Sequence, residues 1–374
     1  MHFICTRENL SRALAFVIGV AGKSVNLPIL ANVLIHAADQ GVTFVATNLE
    51  VAIISHLRAK VENVGSFTAP ARTLNDFVNL LSDEKVEVEV ADNEIHLVSG
   101  RSSTKIKGSP ADEFPVVPAS VDGKGYVVEA EALKKGLEQV MLAAAKNDIR
   151  PELSGVLCVF NVGGYGGLTL AATDSYRLAE KKIKLEQGQE EARVIMPLRT
   201  AQELNHLLSQ GKGAEAERTV RLQVTENQIV ARSNEVELIS RLVEGQYPDY
   251  TQIIPKDFLT TAEFETEKMA KEIKAASLFA TNGVNAVSLE LKTTEGVVAV
   301  SSASTQTGEH KSEVAAEVRG ENNSTLLNHR YVLDGLSNIG ASVGILKLIN
   351  PESPCVFVPK GDDSYLYIVM PIRQ

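Results

Sequence analysis

The run Gly22-Lys23-Ser24 is the nearest approach to a phosphate-binding loop in these 374 residues. Such a loop needs a glycine five residues before Gly22, where Val17 stands, and it must leave a strand, whereas this run follows a helical pattern. It reads as the end of a helix with a capping glycine. Gly163-Gly-Tyr-Gly-Gly167 lies between two strand patterns and reads as a hairpin turn. The histidines (His2, His36, His56, His96, His206, His310 and His329) are scattered, with no metal-ligand spacing. No GxSxG elbow occurs. Cys5, Cys158 and Cys355 form no CxxC or Cys/His pairing and read as reduced core residues of a cytoplasmic protein. The acidic pairs Asp83-Glu84 and Asp362-Asp363 sit in polar turns and read as solvated. These residues predict no catalytic group, cofactor or metal.

The cations are more informative. Three helical patterns that open similar segments carry Arg7 and Arg12, then Lys134 and Lys135, then Lys268, Lys271 and Lys274. Three later helical patterns start beside Arg72, Arg199 and Arg330. Lys23 belongs to the same set. Each helix alone could be an ordinary solvated face, because glutamates accompany the cations. If the helices line one surface, however, a chain of net charge −10 acquires a local basic track for phosphates. Contacts of that kind hold duplex DNA without reading base edges, so binding would be sequence-independent and salt-sensitive.

The elements that position these residues come in three copies. Gly41-Val-Thr-Phe-Val-Ala-Thr-Asn recurs as Gly167-Leu-Thr-Leu-Ala-Ala-Thr-Asp and, more weakly, as Gly296-Val-Val-Ala-Val-Ser-Ser-Ala. Pro70-Ala-Arg-Thr recurs as Pro197-Leu-Arg-Thr, and Val90-Ala-Asp-Asn-Glu-Ile as Val224-Thr-Glu-Asn-Gln-Ile. The spacing grows in the second copy by the polar stretch from Gly211 to Glu217, as expected of a surface loop.

Each copy opens with an amphipathic helix: Leu10, Leu14 and Val17, then Leu133, Leu137 and Val140, then Met269, Ile273 and Ala276. Strands follow near 33–36, 43–46 and 51–57. A second helix comes next, with Leu74, Phe77, Val78 and Leu81, then Ala201, Leu204 and Leu208, then Val332, Leu336 and Ile339. Alternation at Val86, Val88 and Val90, with Asp92-Asn93 after it, predicts a hairpin. Each copy is thus an α+β unit of two helices on about six to eight antiparallel strands. The expected domains are 1–120, 126–250 and 254–374, joined by extended, proline-containing stretches from Phe114 to Gly125 and from Gly245 to Pro255.

The apolar run Ala13 to Gly22 after Arg7 and Arg12 imitates an export signal. Two internal copies of that helix argue that it is structural. A composition of 44% hydrophobic and 22% charged residues suits a soluble globular protein. The absence of Trp weakly disfavours base-stacking and sugar-binding surfaces. Two other classes stay open at this point: a secreted three-domain binding protein, and an enzyme with a site between domains.

Several strings, in their order and spacing, resemble the bacterial DNA polymerase III β subunit, the β sliding clamp family. They are Leu27-Pro-Ile-Leu-Ala-Asn-Val-Leu, Thr47-Asn-Leu-Glu50, Phe114-Pro, Thr173-Asp-Ser-Tyr-Arg-Leu178, Glu244-Gly-Gln-Tyr-Pro-Asp-Tyr250 and Tyr367-Ile-Val-Met-Pro-Ile-Arg373. The resemblance runs the whole length. It implies a non-catalytic cytoplasmic processivity factor: a head-to-tail homodimer closed into a ring around duplex DNA, helices lining the hole and sheet outside.

It also implies a pocket between the second and third domains. That pocket receives linear peptides from the polymerase III core, the clamp loader, other polymerases and repair proteins. Carried over by position, its lining would be Arg150, Leu153, Thr173, Ser175, Tyr176, Arg177, Leu178, Pro248, Ile253, Asn328, Tyr331, Ile368, Val369, Met370, Pro371, Ile372 and Arg373. The dimer contact would join Thr104 and an inward-facing Ile106 to Leu278 and Phe279. Tyr176 stands where His is common in the family, Val284 where Phe can occur, and Gln374 where an apolar residue ends the chain. These departures bear on peptide preference.

Overall fold

Thr6 closes the first strand and opens the first helix: its hydroxyl accepts a hydrogen bond from the Asn9 amide at 3.3 Å. This satisfies one of the donors that a helix start leaves orphaned. A strand running directly into a helix recurs at all six α-helices of the computed structural model. The structure describes residues 1–22, 27–117, 123–147, 149–210, 218–233, 235–281 and 283–373. Lys23, the predicted surface loop 211–217, much of the first linker and Gln374 lie outside the described residues.

The first repeat begins with β1 (His2–Thr6), α1 (Arg7–Val17), β2 (Asn32–Ala38), β3 (Gly41–Thr47), β4 (Val51–Leu57) and β5 (Lys60–Asn63). It continues with β6 (Gly65–Pro70), α2 (Ala71–Leu80), β7 (Lys85–Ala91), β8 (Glu94–Ser99), β9 (Ser102–Lys107) and β10 (Ser109–Pro110). The second contains β11 (Lys124–Glu129), α3 (Ala130–Met141), β12 (Gly155–Phe160), β13 (Leu168–Thr173), β14 (Arg177–Ile183) and β15 (Leu185–Gln187). Then come β16 (Ala192–Pro197), α4 (Leu198–Gln210), β17 (Thr219–Val224), β18 (Gln228–Arg232) and β19 (Val236–Arg241). The third contains β20 (Thr260–Glu265), α5 (Thr266–Ser277), β21 (Ala286–Lys292), β22 (Val297–Ser304), β23 (Gly308–Gly320) and β24 (Asn323–Asn328). It ends with α6 (His329–Asn338), β25 (Val343–Leu348), β26 (Cys355–Pro359) and β27 (Tyr365–Val369). The first two repeats exceed the predicted strand count because β5, β10 and β15 are short strands with weak alternation.

The chain divides into two compact units. One holds residues 1–131, 185–188 and 202–242. Its sheets run β5-β1-β7-β8-β9 and β10-β6-β2-β3-β4-β19-β18-β17-β11-β15. The other holds residues 132–184, 189–201 and 243–374, around one sheet of order β16-β12-β13-β14-β27-β26-β25-β20-β23-β22-β21-β24. The second repeat therefore contributes strands to both units. Its β19 pairs with β4 of the first repeat, and its β14 with β27 of the third. All of these pairings are antiparallel.

The predicted apolar faces of α1, α3 and α5 are buried. In α4 Ala201 and Leu204 are buried as expected, while the third buried position is Leu207, with Leu208 only half-buried. Gly22 is not the cap of the first helix. That helix ends at Val17 with Ile18 as its cap, and the Gly22 amide donates to the Leu30 carbonyl at 3.1 Å, fastening the next segment. The Gly163-Gly164 pair makes the β12–β13 turn, both residues at positive φ, as the hairpin reading required. All three cysteines are buried, and burial pushes each thiol up to about 12, so they stay protonated and inert. Among the described residues, no helix is long and apolar enough to cross a membrane.

Candidate functional site

The site grows from one turn. Between β13 and β14, the Thr173 hydroxyl donates to the Arg177 carbonyl at 2.6 Å and accepts from the Ser175 amide at 3.1 Å. The Asp174 carboxylate accepts from the Tyr176 and Arg177 amides, each at 3.0 Å. Short polar side chains that bond their own backbone in this way fix a turn locally. Ser175 is held at φ 79°, and Tyr176 is thrust out, 64% exposed.

Beside that turn runs the end of the chain. Arg177 pairs with Val369 and Leu178 with Ile368 across the β14–β27 ladder. The ladder continues past the last strand, the Met370 amide donating to the Tyr176 carbonyl at 2.9 Å. The Ile372 amide then donates to the Leu326 carbonyl at 2.7 Å, so the tail crosses from one strand to another. Residues nearly 200 positions apart meet here through backbone bonds, which leave no trace in side-chain pattern.

The structure changes the parts played by the expected lining. Leu153, Thr173, Leu178, Ile368 and Val369 are buried and form the floor, with Tyr247 and Tyr250 packed in the same cluster. The apolar surface open to a ligand belongs to Tyr176, Ile253, Pro248, Met370, Pro371 and Ile372, all exposed or half-buried. At the rim, exposed Arg150 donates to the Glu152 carboxylate at 3.0 Å and reaches the Ser175 hydroxyl at 3.5 Å. Asn328 is committed to structure: its side chain caps α6 by accepting from the Arg330 amide at 3.0 Å. Arg373 is exposed at the end of the tail.

Arg177 is only 5% exposed and fully committed. Its Nε donates to Asp174 at 3.0 Å, one terminal nitrogen donates to Asp334 of α6 at 2.6 Å, and its plane lies 4.5 Å from the Tyr331 ring centre. Burial opposes the charge, but Tyr367 and the two carboxylates outweigh it and raise the guanidinium's pKa. The Tyr367 hydroxyl donates to the Tyr331 carbonyl at 2.9 Å, and α6 comes this close because Gly335 faces the Tyr367 ring. A Cβ there would strike the ring.

Two buried charges brace the adjoining strand. Lys181 donates to Asp362 at 2.9 Å and to the Ser364 hydroxyl at 2.6 Å, and Glu180 accepts from the Tyr250 hydroxyl at 2.6 Å. Burial alone would raise the Asp362 pKa, but hydrogen bonds from Ser364 and Lys181 bring it down to about 2. Asp334, Lys181 and Glu180 carry no signal in the sequence, and Tyr367 opens a quoted string without a role there. Asp174 lay inside a quoted string without a role.

The predicted helix cations divide. Arg12 is paired with Glu235 at 3.0 Å and Lys268 with Glu265 at 2.6 Å, while Arg7 reaches the Leu81 carbonyl at 3.5 Å. Lys134 is half-buried. Arg72, Lys135, Arg199, Lys271 and Arg330 are exposed and make no ion pair among the described residues. In the first unit α1 packs on α2, and its following turn meets Glu203 of α4 at Gly19. In the second, α5 packs on α6, and Gln139 of α3 donates to the Asn338 carbonyl at the end of α6 at 3.1 Å. Each unit thus sets its helices side by side.

Two unpaired sheet edges carry or adjoin the residues expected at the dimer contact. β9 pairs only with β8, and the first half of β23, Gly308 to Ala315, pairs only with β22. Ile106 is 7% exposed, which leaves it little surface for the expected contact. Thr104 is half-buried on the same face, which leaves Lys105, Lys107 and the backbone of β9 outward. Leu278 is 71% exposed, while Phe279 stacks on His310 with ring centres 5.7 Å apart. No group of three or more His, Cys, Asp or Glu among the described residues is placed to hold a metal.

Comparison with known proteins agrees over the full length. The chain matches the DNA polymerase III beta subunit N-terminal domain over residues 1–118, the central domain over 127–249 and the C-terminal domain over 251–373. The beta sliding clamp of Synechococcus elongatus is 30% identical, with 100% of this chain and 99% of that protein aligned. That of Streptococcus pneumoniae is 28% identical over the same shares. Among solved structures, the DNA polymerase sliding clamp of Bacillus subtilis covers 100% of this chain at 27% identity and TM-score 0.91, with 99% of its own length aligned. The Pseudomonas aeruginosa sliding clamp bound to griselimycin gives the same identity and TM-score over 100% of both chains. Three repeats, joined through β4–β19 and β14–β27 and matched end to end, place this chain in the beta sliding clamp family, the beta subunits of DNA polymerase III.

Proposed function

We propose that this chain is a DNA sliding clamp: a non-catalytic processivity factor that closes around duplex DNA as a head-to-tail homodimer and tethers replicative polymerase. The observation that carries the reading is end-to-end family membership, with no repeat missing. The proposed domains are 1–120, 126–250 and 254–374. The exposed cations Arg72, Lys135, Arg199, Lys271 and Arg330 would supply a sequence-independent phosphate track.

The polymerase III core, the clamp loader, other polymerases and repair proteins would dock linear peptides at the Tyr176–Met370 site. Apolar anchors would lie over the Leu178–Ile368 floor, with Arg150 at the rim. The dimer would form where the open edge of β9, with Lys105 and Lys107, meets the open edge of β23, with Glu309 and Glu313. Exposed Leu278 would be covered there. A clamp of this kind would work in the cytoplasm and need no cofactor. Loading the protein onto nicked circular DNA tests the reading: it should stay bound until the circle is linearised, then slide off. Retention on linear duplex would contradict encirclement.

A further inference from the structure

The turn that presents Tyr176 has a copy in the first repeat. The Thr47 hydroxyl donates to the Val51 carbonyl and accepts from the Leu49 amide, both at 3.0 Å. The Asn48 side chain accepts from the Glu50 and Val51 amides at 3.0 and 2.8 Å. Donor for donor, this is the bonding of Thr173 to Arg177. The neighbouring ladder matches as well: Ile239 pairs near Ala52 in β19–β4 as Ile368 pairs with Leu178 in β27–β14. Past its end, the Arg241 amide donates to the Glu50 carbonyl at 3.2 Å, as the Met370 amide does to Tyr176. The 3-10 turn Pro28–Ala31, with Leu30 buried, corresponds to Pro151–Leu153, with Leu153 buried.

The copy differs in its side chains. Ala52 replaces Leu178, so the floor is three carbons shallower in side chain. Val45 and Ala52 keep 8% and 5% of their surface, where Ala171 and Leu178 keep 0%. Leu27 and Leu49 stand at the rim, 42% and 50% exposed. Leu49 also adopts φ 78°, a left-handed conformation that is unfavourable for a non-glycine residue. An apolar side chain held in that conformation and turned to water gains nothing within the chain. Exposed Glu50 and Arg241 oppose each other in charge, which leaves no net positive charge to draw a phosphate backbone.

We propose that the β4–β19 junction is a second docking groove for a linear partner peptide, one that takes apolar anchors between Leu27 and Leu49. The occupant follows from the shared frame: a two-strand floor flanked by these two turns accepts a single extended chain. The inference rests on the peptide-docking reading of the Tyr176–Met370 site, and every residue it uses belongs to the first unit. It is tested by anisotropy titration of a fluorescein-labelled peptide with Leu and Phe anchors. The proteins are the full chain, a deletion of 370–374, and that deletion carrying Leu49→Glu or Leu27→Glu.

The expected result is two peptides per intact chain and one after tail deletion. The remaining binding should weaken at least tenfold in either substituted protein, with unchanged melting. No binding after tail deletion, or binding indifferent to both substitutions, overturns the proposal. If intact and tail-deleted chains bind one peptide equally, and Leu49→Glu or Leu27→Glu abolishes it, the second groove stands and the tail is removed from the first site.

Discussion

The guanidinium of Arg177 lies 4.5 Å from the ring centre of Tyr331, clamped there by Asp174 of its own turn and Asp334 of α6. The second repeat is thereby tied to the third by a stacked cation and two carboxylates, directly beneath the surface that Tyr176 and Met370 present. Arg177→Ala should cost about 1.5–3 kcal/mol, the range for hydrogen bonds to charged groups, and weaken peptide binding together with stability. Arg177→Lys should not restore either, because an ammonium lacks the planar fork and the stacking face. Thermal melting alongside peptide titration decides it; a Lys variant that behaves like the parent would refute the clamp.

Removing Met370 to Gln374 should reduce affinity of the Tyr176 site by about 2 kcal/mol or more, roughly thirtyfold, since anchors in apolar pockets carry most of a peptide's binding energy. The protein should still dimerise, because neither open sheet edge is touched. Calorimetric titration with a peptide carrying Leu and Phe anchors checks the first statement and light scattering the second.

Leu278 and Ile106 should separate interface from core. Leu278→Glu places a charge at an exposed apolar position and should yield monomers of unchanged melting temperature. Ile106→Ala should cost about 2–5 kcal/mol of stability, as is typical of buried Ile truncation, and so lower the melting temperature, because that side chain is nearly buried in its own chain. Sedimentation with scanning calorimetry distinguishes the two.

Reversing Arg72, Arg199 and Lys271 to Glu together should shorten residence on circular DNA and flatten its salt dependence, with the dimer intact. Base sequence should make no difference. A strong preference among duplexes of different sequence would show that these residues are not a phosphate track.

The Asp362 carboxyl, held at about 2, makes a pH signature. Its folded pKa is below the ordinary value of about 3.9, so its stabilisation is complete above that value and is lost as pH falls through about 2. Asp362→Asn should therefore destabilise at neutral pH, and the gap to the parent should close on acidification. Denaturant midpoints measured at both ends of that range show whether it does.

The helices and most strands were legible because each is amphipathic and each pattern occurs again. Leu10, Leu133 and Met269 report the same buried face three times over. The floor of the site was harder to read. Leu178 and Ile368 enter the expected lining only through the family resemblance, and both are fully buried core residues. Only the ladder between distant strands makes them a floor. Asp334 and Tyr367 left no pattern, since a lone carboxylate on a helix and a tyrosine in a strand acquire meaning from Arg177 alone. Alternation turned Ile106 inward, and the residue is nearly buried within its own chain.

The pairing of β14 with β27 also has a consequence in time. β14 leaves the ribosome nearly 200 residues before β27, the strand that completes it. Non-local strand pairs form late because the intervening loop must first be closed. Until β27 has been made, β14 lacks its neighbour and the Tyr176 site lacks its wall. A chain halted before β27 would therefore carry the Tyr176 turn with no strand laid beside it.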